Sequence, residues 1–189
     1  TKDLLYKGYT IQPYSPKAGT GLSSHELNQP GTYQDVTDTT VVAQFKANQD
    51  SLPEFLQNEG VIYFLAWTTT PWTLPSNTAL TVGNKIDYVL IKTFNQYTFD
   101  STNVILAKNL VAKQFAGKFY QAEDKAELAN YNSSDKKIPF YVVKEFKGKD
   151  LVESTYEQLL PYALPNDNPE NAFRVIAGDF VTTEDGTGI

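Results

Sequence analysis

The densest concentration of potential chemistry in the chain is the run Trp67-Thr68-Thr69-Thr70-Pro71-Trp72-Thr73-Leu74-Pro75-Ser76-Asn77. Consecutive threonine hydroxyls donate and accept hydrogen bonds, so together they can hold an ester, a ribose hydroxyl and an attacking water without titrating. Pro71 and Pro75 each fix φ and lack an N–H, which predicts an irregular loop between them. A loop carried on a stiff scaffold is a common place for a binding or catalytic site. The plainer alternative is that the threonines are there because threonine is a good strand residue.

Other chemistries find less support. With no cysteine there is no disulfide, thiolate nucleophile or thiolate metal site. His25 is the one histidine, set in a polar Ser-Ser-His-Glu stretch without companion ligands, and reads as a surface or hydrogen-bonded side chain. Asp167, Glu170 and the pair Glu184-Asp185 sit in turn-like sequence, where carboxylates most often cap the backbone, and none has a calcium-loop spacing. Gly186-Thr187-Gly188 is too short for a phosphate cradle, and Asn132-Ser133-Ser134 fits the glycosylation pattern, which is frequent by chance. A net charge of −6 opposes a phosphate backbone, so contact with nucleic acid has to be local or helped by another part of a protein.

These residues need elements to hold them. The chain has 189 residues, 41% hydrophobic and 20% charged, which suits one ordinary domain with a real core. Aromatics at 13% and short β-branched clusters predict a mainly β fold. Leu4 to Gln12 alternates loosely and ends at the turn residues Pro13 to Gly19, predicting a strand and a tight turn. Val36 to Lys46 sets Val41, Ala43 and Phe45 against Val42, Gln44 and Lys46, the period-two pattern of a half-buried strand. Residues 47 to 60 read as a solvated connection, and the apolar Val61 to Trp67 as a strand buried on both faces. Further strands are expected at Thr78 to Val82, Tyr88 to Phe94, Val104 to Ala107, Ile138 to Phe146 and Phe173 to Ala177. Helices are expected over Lys108 to Phe119, with Gly117 near its end, and over Glu153 to Leu160. No apolar run reaches the length of a membrane span, and Thr1-Lys2-Asp3 has no signal-peptide character. The absence of methionine and the ending Gly186-Thr187-Gly188-Ile189 are read as marks of a segment cut from a longer protein.

The run Trp67 to Asn77 resembles the threonine-rich signature of isoleucyl-tRNA synthetase editing domains, the connective-peptide insertions of those enzymes. Sister enzymes for valine and leucine typically have arginine after two threonines, where this chain has Thr70. Lys7-Gly8-Tyr9, Pro13-Tyr14-Ser15-Pro16, Gly19-Thr20 and Leu22-Ser23-Ser24-His25-Glu26 agree in order and separation, as does Gly186 to Ile189, so the resemblance spans nearly the whole chain. Many relatives carry a cysteine pair where this chain has Ser15 and Ala18, and no metal is argued there.

The resemblance implies a compact distorted β-barrel with a few helices, residues 1 to 34 forming a connecting ribbon and residues 35 to 189 the domain body, truncated before its last conserved segment. It implies hydrolysis of valine wrongly esterified to isoleucine tRNA, and possibly of valyl-adenylate. Thr68, Thr69 and Thr70 would contact the ester and ribose, and Trp72, Asn77, Thr187 and Gly188 would shape the substrate pocket. Editing itself would need no cofactor, while the full-length enzyme uses ATP and Mg. The partners implied are the aminoacylated 3′ end of the tRNA, its valine and the rest of the synthetase in cis, in a cytoplasmic monomer without membrane contact. A histidine and an aspartate that complete the family pocket fall beyond Ile189, so weak or no turnover is expected of the chain alone. The rival reading is a non-catalytic β-rich binding module that uses Trp67, Trp72 and nearby tyrosines as a stacking platform.

Overall fold

The computed structural model describes residues 4–189, which divide into a unit ending at Asp38 and a second running from Thr39 to Ile189. In the first unit, β1 (Tyr14–Ser15) pairs antiparallel with β2 (Thr20–Gly21) across the expected turn. Helix α1 (Ser24–Leu27) follows, its start fixed by a reciprocal cap in which Ser23 and Glu26 each accept from the other's backbone N–H. The strand expected over Leu4 to Gln12 does not form: Leu4, Leu5, Tyr6, Tyr9 and Ile11 are all exposed, and loose alternation without a partner strand buries nothing.

The second unit is built on a mixed sheet. Its strands are β3 (Val41–Lys46), β4 (Ile62–Thr68), β5 (Ala79–Val82), β6 (Asp87–Phe94), β7 (Ser101–Ala107), β8 (Phe119–Gln121), β9 (Ile138–Lys147) and β10 (Arg174–Ala177). Six of them make one sheet in the order β3-β4-β7-β6-β9-β8, while β10 pairs in parallel with β5 as a separate two-stranded sheet. The mainly β expectation holds, but the closed barrel does not. The outer strands β3 and β8 pair only inward, and β8 has three residues, too few to carry the sheet round on itself.

Period-two alternation assigns the core. Tyr88 and Leu90 of β6, with Ile105 and Ala107 of β7, enter one apolar cluster, which also takes Phe45, Phe64, Leu80, Val82 and Val175. Val89 and Ile91, with Val104 and Leu106, enter the other, against Phe115 and Phe140. Phe64 lies in the first cluster and Leu65 in the second, so the middle of β4 is buried on both faces as its unbroken apolar run predicts.

Three local expectations change. The connection 47–60 is not merely solvated: a 3-10 turn (Gln49–Ser51) and helix α2 (Glu54–Gln57) insert the buried Leu52 and Leu56 into the first cluster. The helix expected from Lys108 is a 3-10 turn to Leu110 followed by α3 (Val111–Gln114), because Phe115 turns inward onto Phe119 and Phe140 and the chain then pairs as β8. No helix forms over Glu153 to Leu160. There the backbone N–H groups of Glu153, Tyr156 and Glu157 donate to Val175, Phe173 and Lys46, so neighbouring segments take the bonds a helix would need.

Candidate functional site

The end of β4 delivers the threonine run to one wall of a cleft of about 600 Å³. Thr68 is still in the ladder, opposite Val41 of β3, and its Oγ1 accepts from the Thr70 N–H at 3.0 Å. The run then becomes a 3-10 helix (Pro71–Ser76) rather than the irregular loop expected. Proline at the first helical position loses no bond, and i to i+3 bonds from Thr73 to Thr70 and from Asn77 to Leu74 carry the turn past Pro75. Coiling brings hydroxyls together: Thr70 Oγ1 lies 3.3 Å from Thr68 Oγ1 and 3.4 Å from Thr73 Oγ1, and Thr73 donates to the Thr70 carbonyl at 2.7 Å.

Of the residues singled out from sequence, Thr68, Asn77, Thr187 and Gly188 line the cleft. Thr69 and Thr70 are exposed beside it, and Trp72 points to solvent at 67% exposure. Asn77 is held at both ends of its amide, its nitrogen donating to Ala79 O at 3.0 Å and its oxygen accepting from Tyr156 Oη at 2.6 Å. Burial pushes the Tyr156 hydroxyl well above the ordinary phenol range, so it acts as a fixed donor.

The opposite wall is the terminal segment. The Thr187 carbonyl accepts from the Ala107 N–H at 2.8 Å, and Thr187 itself is buried. Gly188 has φ +76 and packs so closely that a Cβ would stand 2.4 Å from the Ala107 Cβ, which explains a glycine there. Its carbonyl accepts from Tyr88 Oη at 2.6 Å, and that hydroxyl accepts in turn from the Gly83 N–H. Burial pushes Tyr88 up to about 12. Gly186 lies against the Trp67 ring, which is therefore half-covered and not an open platform.

The cleft has a narrow chemical repertoire. Its single titratable lining group is Asp185, which pairs with Lys113 Nζ at 2.7 Å and accepts from the Gly186 N–H at 2.6 Å. Lys113 and then the Gly186 N–H hold its carboxyl below the usual range, so it is ionised and already engaged. The remaining polar lining consists of hydroxyls, the Asn77 amide and main chain, against an apolar floor that includes Phe45, Leu80 and Ile189. Such a site can bind a small partly apolar group and orient a neutral nucleophile; its one carboxylate, Asp185, is held by Lys113 and the Gly186 N–H, and its other nucleophilic side chains are hydroxyls. Sequence reasoning did not single out Tyr88 and Tyr156, whose hydroxyls fix the two walls, because their partners lie 100 and 79 residues away. Thr73 and Ser76 stood inside the quoted run without being chosen. His25 is on the surface of α1, 3.0 Å from Gln29 Nε2. Among the described residues no group of three or more His, Asp or Glu could hold a metal, and no helix is long and apolar enough to cross a membrane.

No protein-family model matches the chain. Over 188 residues it is 64% identical to an isoleucine–tRNA ligase of Cytophaga hutchinsonii and 63% identical to one of Bacteroides fragilis, in each case covering all of this chain and 16% of the relative. An isoleucine–tRNA ligase of Clostridium tetani is 43% identical over 188 residues, again along the whole chain and 14% of the relative. The chain thus spans about a sixth of the length of the proteins it matches. Among solved structures, the cytosolic leucyl-tRNA synthetase editing domain of P. knowlesi aligns at TM-score 0.49 and 11% identity, over 79% of this chain and 56% of that one.

Proposed function

Since the chain belongs to the isoleucine–tRNA ligase family, matching one stretch of its relatives from end to end, we propose that it is the editing domain of such a ligase, hydrolysing valine wrongly esterified to isoleucine tRNA. The observation that carries this reading is the linked hydroxyl group Thr68–Thr70–Thr73 at the edge of a cleft with an apolar floor. Isoleucine against valine is itself the established example of why such a second site is needed: one methylene is worth only about 1–3 kcal/mol of discrimination. A site sized for valine and closed to isoleucine removes what the first site admits.

In this proposal the cleft floor takes the valine side chain. Thr68 and Thr70 hold the ester and ribose oxygens and place the water, with Thr69 exposed beside them toward the incoming acceptor end. Attack by an oriented water gives a tetrahedral centre whose developing charge meets hydroxyl and main-chain donors, and no covalent intermediate is required. Asn77, tied to Tyr156, sets the loop, and Trp72 is free to lie against the terminal nucleotide. Thr187 and Gly188 form the wall that limits the side chain. Editing on this scheme draws on no metal or organic cofactor; ATP and Mg belong to the activation chemistry of the whole ligase. The first residues, 1 to 34, belong to a ribbon joining the domain to the rest of the enzyme, which presents the tRNA in cis. We place the ligase in the cytoplasm as a monomer.

The test is deacylation of valyl-tRNA(Ile) by the full-length ligase carrying Thr69→Ala and Thr70→Ala. The expected outcome is a fall of about tenfold to a hundredfold with aminoacylation retained, in line with the loss of one or two hydrogen bonds specific to the transition state. Wild-type deacylation in that variant overturns the assignment. The 189-residue chain alone is expected to deacylate far more slowly than the ligase.

A further inference from the structure

The sheet face opposite the Phe45 side carries a second pocket of about 380 Å³ that the proposed editing chemistry does not use. Its floor is Val42 and Gln44 of β3, Leu65 of β4 and Thr102 and Val104 of β7, all on the face that alternation turns away from Phe45 and Phe64. Not one lining side chain is charged, in a molecule that is 20% charged. A phosphate, carboxylate or ammonium ligand would find no counter-charge there, so the complementary ligand is neutral.

Three further observations narrow its class. Thr102 is only 7% exposed, yet its Oγ1 has no hydrogen-bond partner, and buried hydroxyls are rarely left so. The side-chain amides of Gln44 and Gln96 line the same pocket and make no hydrogen bond among the described residues. Gln114 gives its nitrogen to the Gly186 carbonyl at 2.6 Å, which leaves its amide oxygen as an acceptor. Beside Thr93 and Asn95 the rest of the lining is aromatic: Phe94, packed on Tyr131, and Phe115, packed on Phe119 and Phe140, turn part of their rings to the pocket, and Tyr97, at 78% exposure, stands at its rim with an unpacked ring. Free amides and a hydroxyl beside aromatic rings match a flat, neutral ring whose edge carries donors and acceptors together. The volume lies within the range of pockets that enclose one small ligand.

We propose that this pocket is a binding site for a neutral nucleobase, stacked against the aromatic wall and hydrogen-bonded on its edge by Thr102 Oγ1 and the Gln44 amide. The proposal is independent of the editing assignment, because it is measured as direct binding on a different face of the sheet.

The experiment is an amide chemical-shift titration of the 189-residue chain with adenosine and with uridine, followed by adenosine 5′-monophosphate and a single-stranded RNA trinucleotide. Saturable shifts are expected at Gln44, Thr102 and Phe115, with the monophosphate no tighter than the nucleoside. Thr102→Val and Gln44→Leu should each weaken binding about fivefold, the effect of one hydrogen bond. Thr102→Val keeps the shape of the side chain and removes an unsatisfied buried hydroxyl, so its Tm should be unchanged or higher, which separates lost binding from lost folding. A trinucleotide that displaces adenosine identifies the base as part of a strand, and one that does not identifies a free nucleoside; either supports the site. Absence of shifts, shifts confined to Thr68 and Thr187, or full affinity in Thr102→Val overturns it.

Discussion

The Tyr156 hydroxyl reaches Asn77 Oδ1 from a segment that has no helix or strand of its own, and this bond ties the end of the threonine run to the core. Tyr156 is also wedged between Phe45 and Phe173 in edge-on contacts at 5.3 and 6.1 Å. Phenylalanine would keep those contacts and delete only the hydroxyl. Tyr156→Phe should therefore cost about 1 kcal/mol, the typical net worth of one hydrogen bond. For a domain of this size that is a fall in Tm of about 2–4 °C, readable by calorimetry. Wild-type stability would mean that the 3-10 turn and the Asn77–Ala79 bond hold the loop without Tyr156. Thr68 and Thr70 of the hydroxyl cluster were legible in the sequence because they lie almost side by side in it; Thr73, which coiling brings to them, and the residues that fix the cluster's position were not.

At the scale of elements, the turn between α2 and β4 is a clamp. Glu59 accepts from Lys92 of β6 at 2.9 Å and from Lys144 of β9 at 3.2 Å, while Asn103 of β7 donates to the Glu59 and Val61 carbonyls at 3.0 and 2.9 Å. Three strands are thereby tied to one turn. The hydrogen bond from Lys92, followed by that from Lys144, holds the Glu59 carboxyl below its ordinary value of 4.5. A depressed carboxylate binds fewer protons folded than unfolded, so its contribution is complete above about pH 5 and is lost as pH falls through the folded-state value. Urea midpoints should thus drop from pH 5 to pH 3, and Glu59→Gln should lower the midpoint at neutral pH while flattening that acid dependence. An equally steep acid dependence in the variant would rule the clamp out. The sequence shows residues 47–60 as polar and misses this role, since the clamp exists only once β6, β7 and β9 lie side by side.

For the whole molecule, charge and topology pull apart. A net charge of −6 over 189 residues gives no field to gather a polyanion, so the isolated chain should bind tRNA weakly and with a shallow dependence on salt. A steep loss of affinity between 50 and 200 mM salt, measured by filter binding, would instead reveal a cationic surface that the chain lacks on average. Strand positions were readable because alternation and unbroken apolar runs are local: β4, β6, β7, β9 and β10 fall within a few residues of the segments expected. The helices were overdrawn, since spacing over Lys108 to Phe119 cannot register that Phe115 packs on Phe119 and Phe140 where the chain turns into β8, nor spacing over Glu153 to Leu160 that the carbonyls of Val175, Phe173 and Lys46 take the N–H groups of Glu153, Tyr156 and Glu157. By itself the sequence determined the mainly β class, the hydroxyl-rich composition of the threonine run and the family, because each is written in contiguous residues. Tertiary structure alone decided that the sheet stays open, that Gly186 to Ile189 closes the cleft against Trp67 and Ala107, and that an uncharged pocket opens on the opposite face. Those outcomes depend on which distant backbones pair and which side chains they bury, and no local pattern encodes that choice.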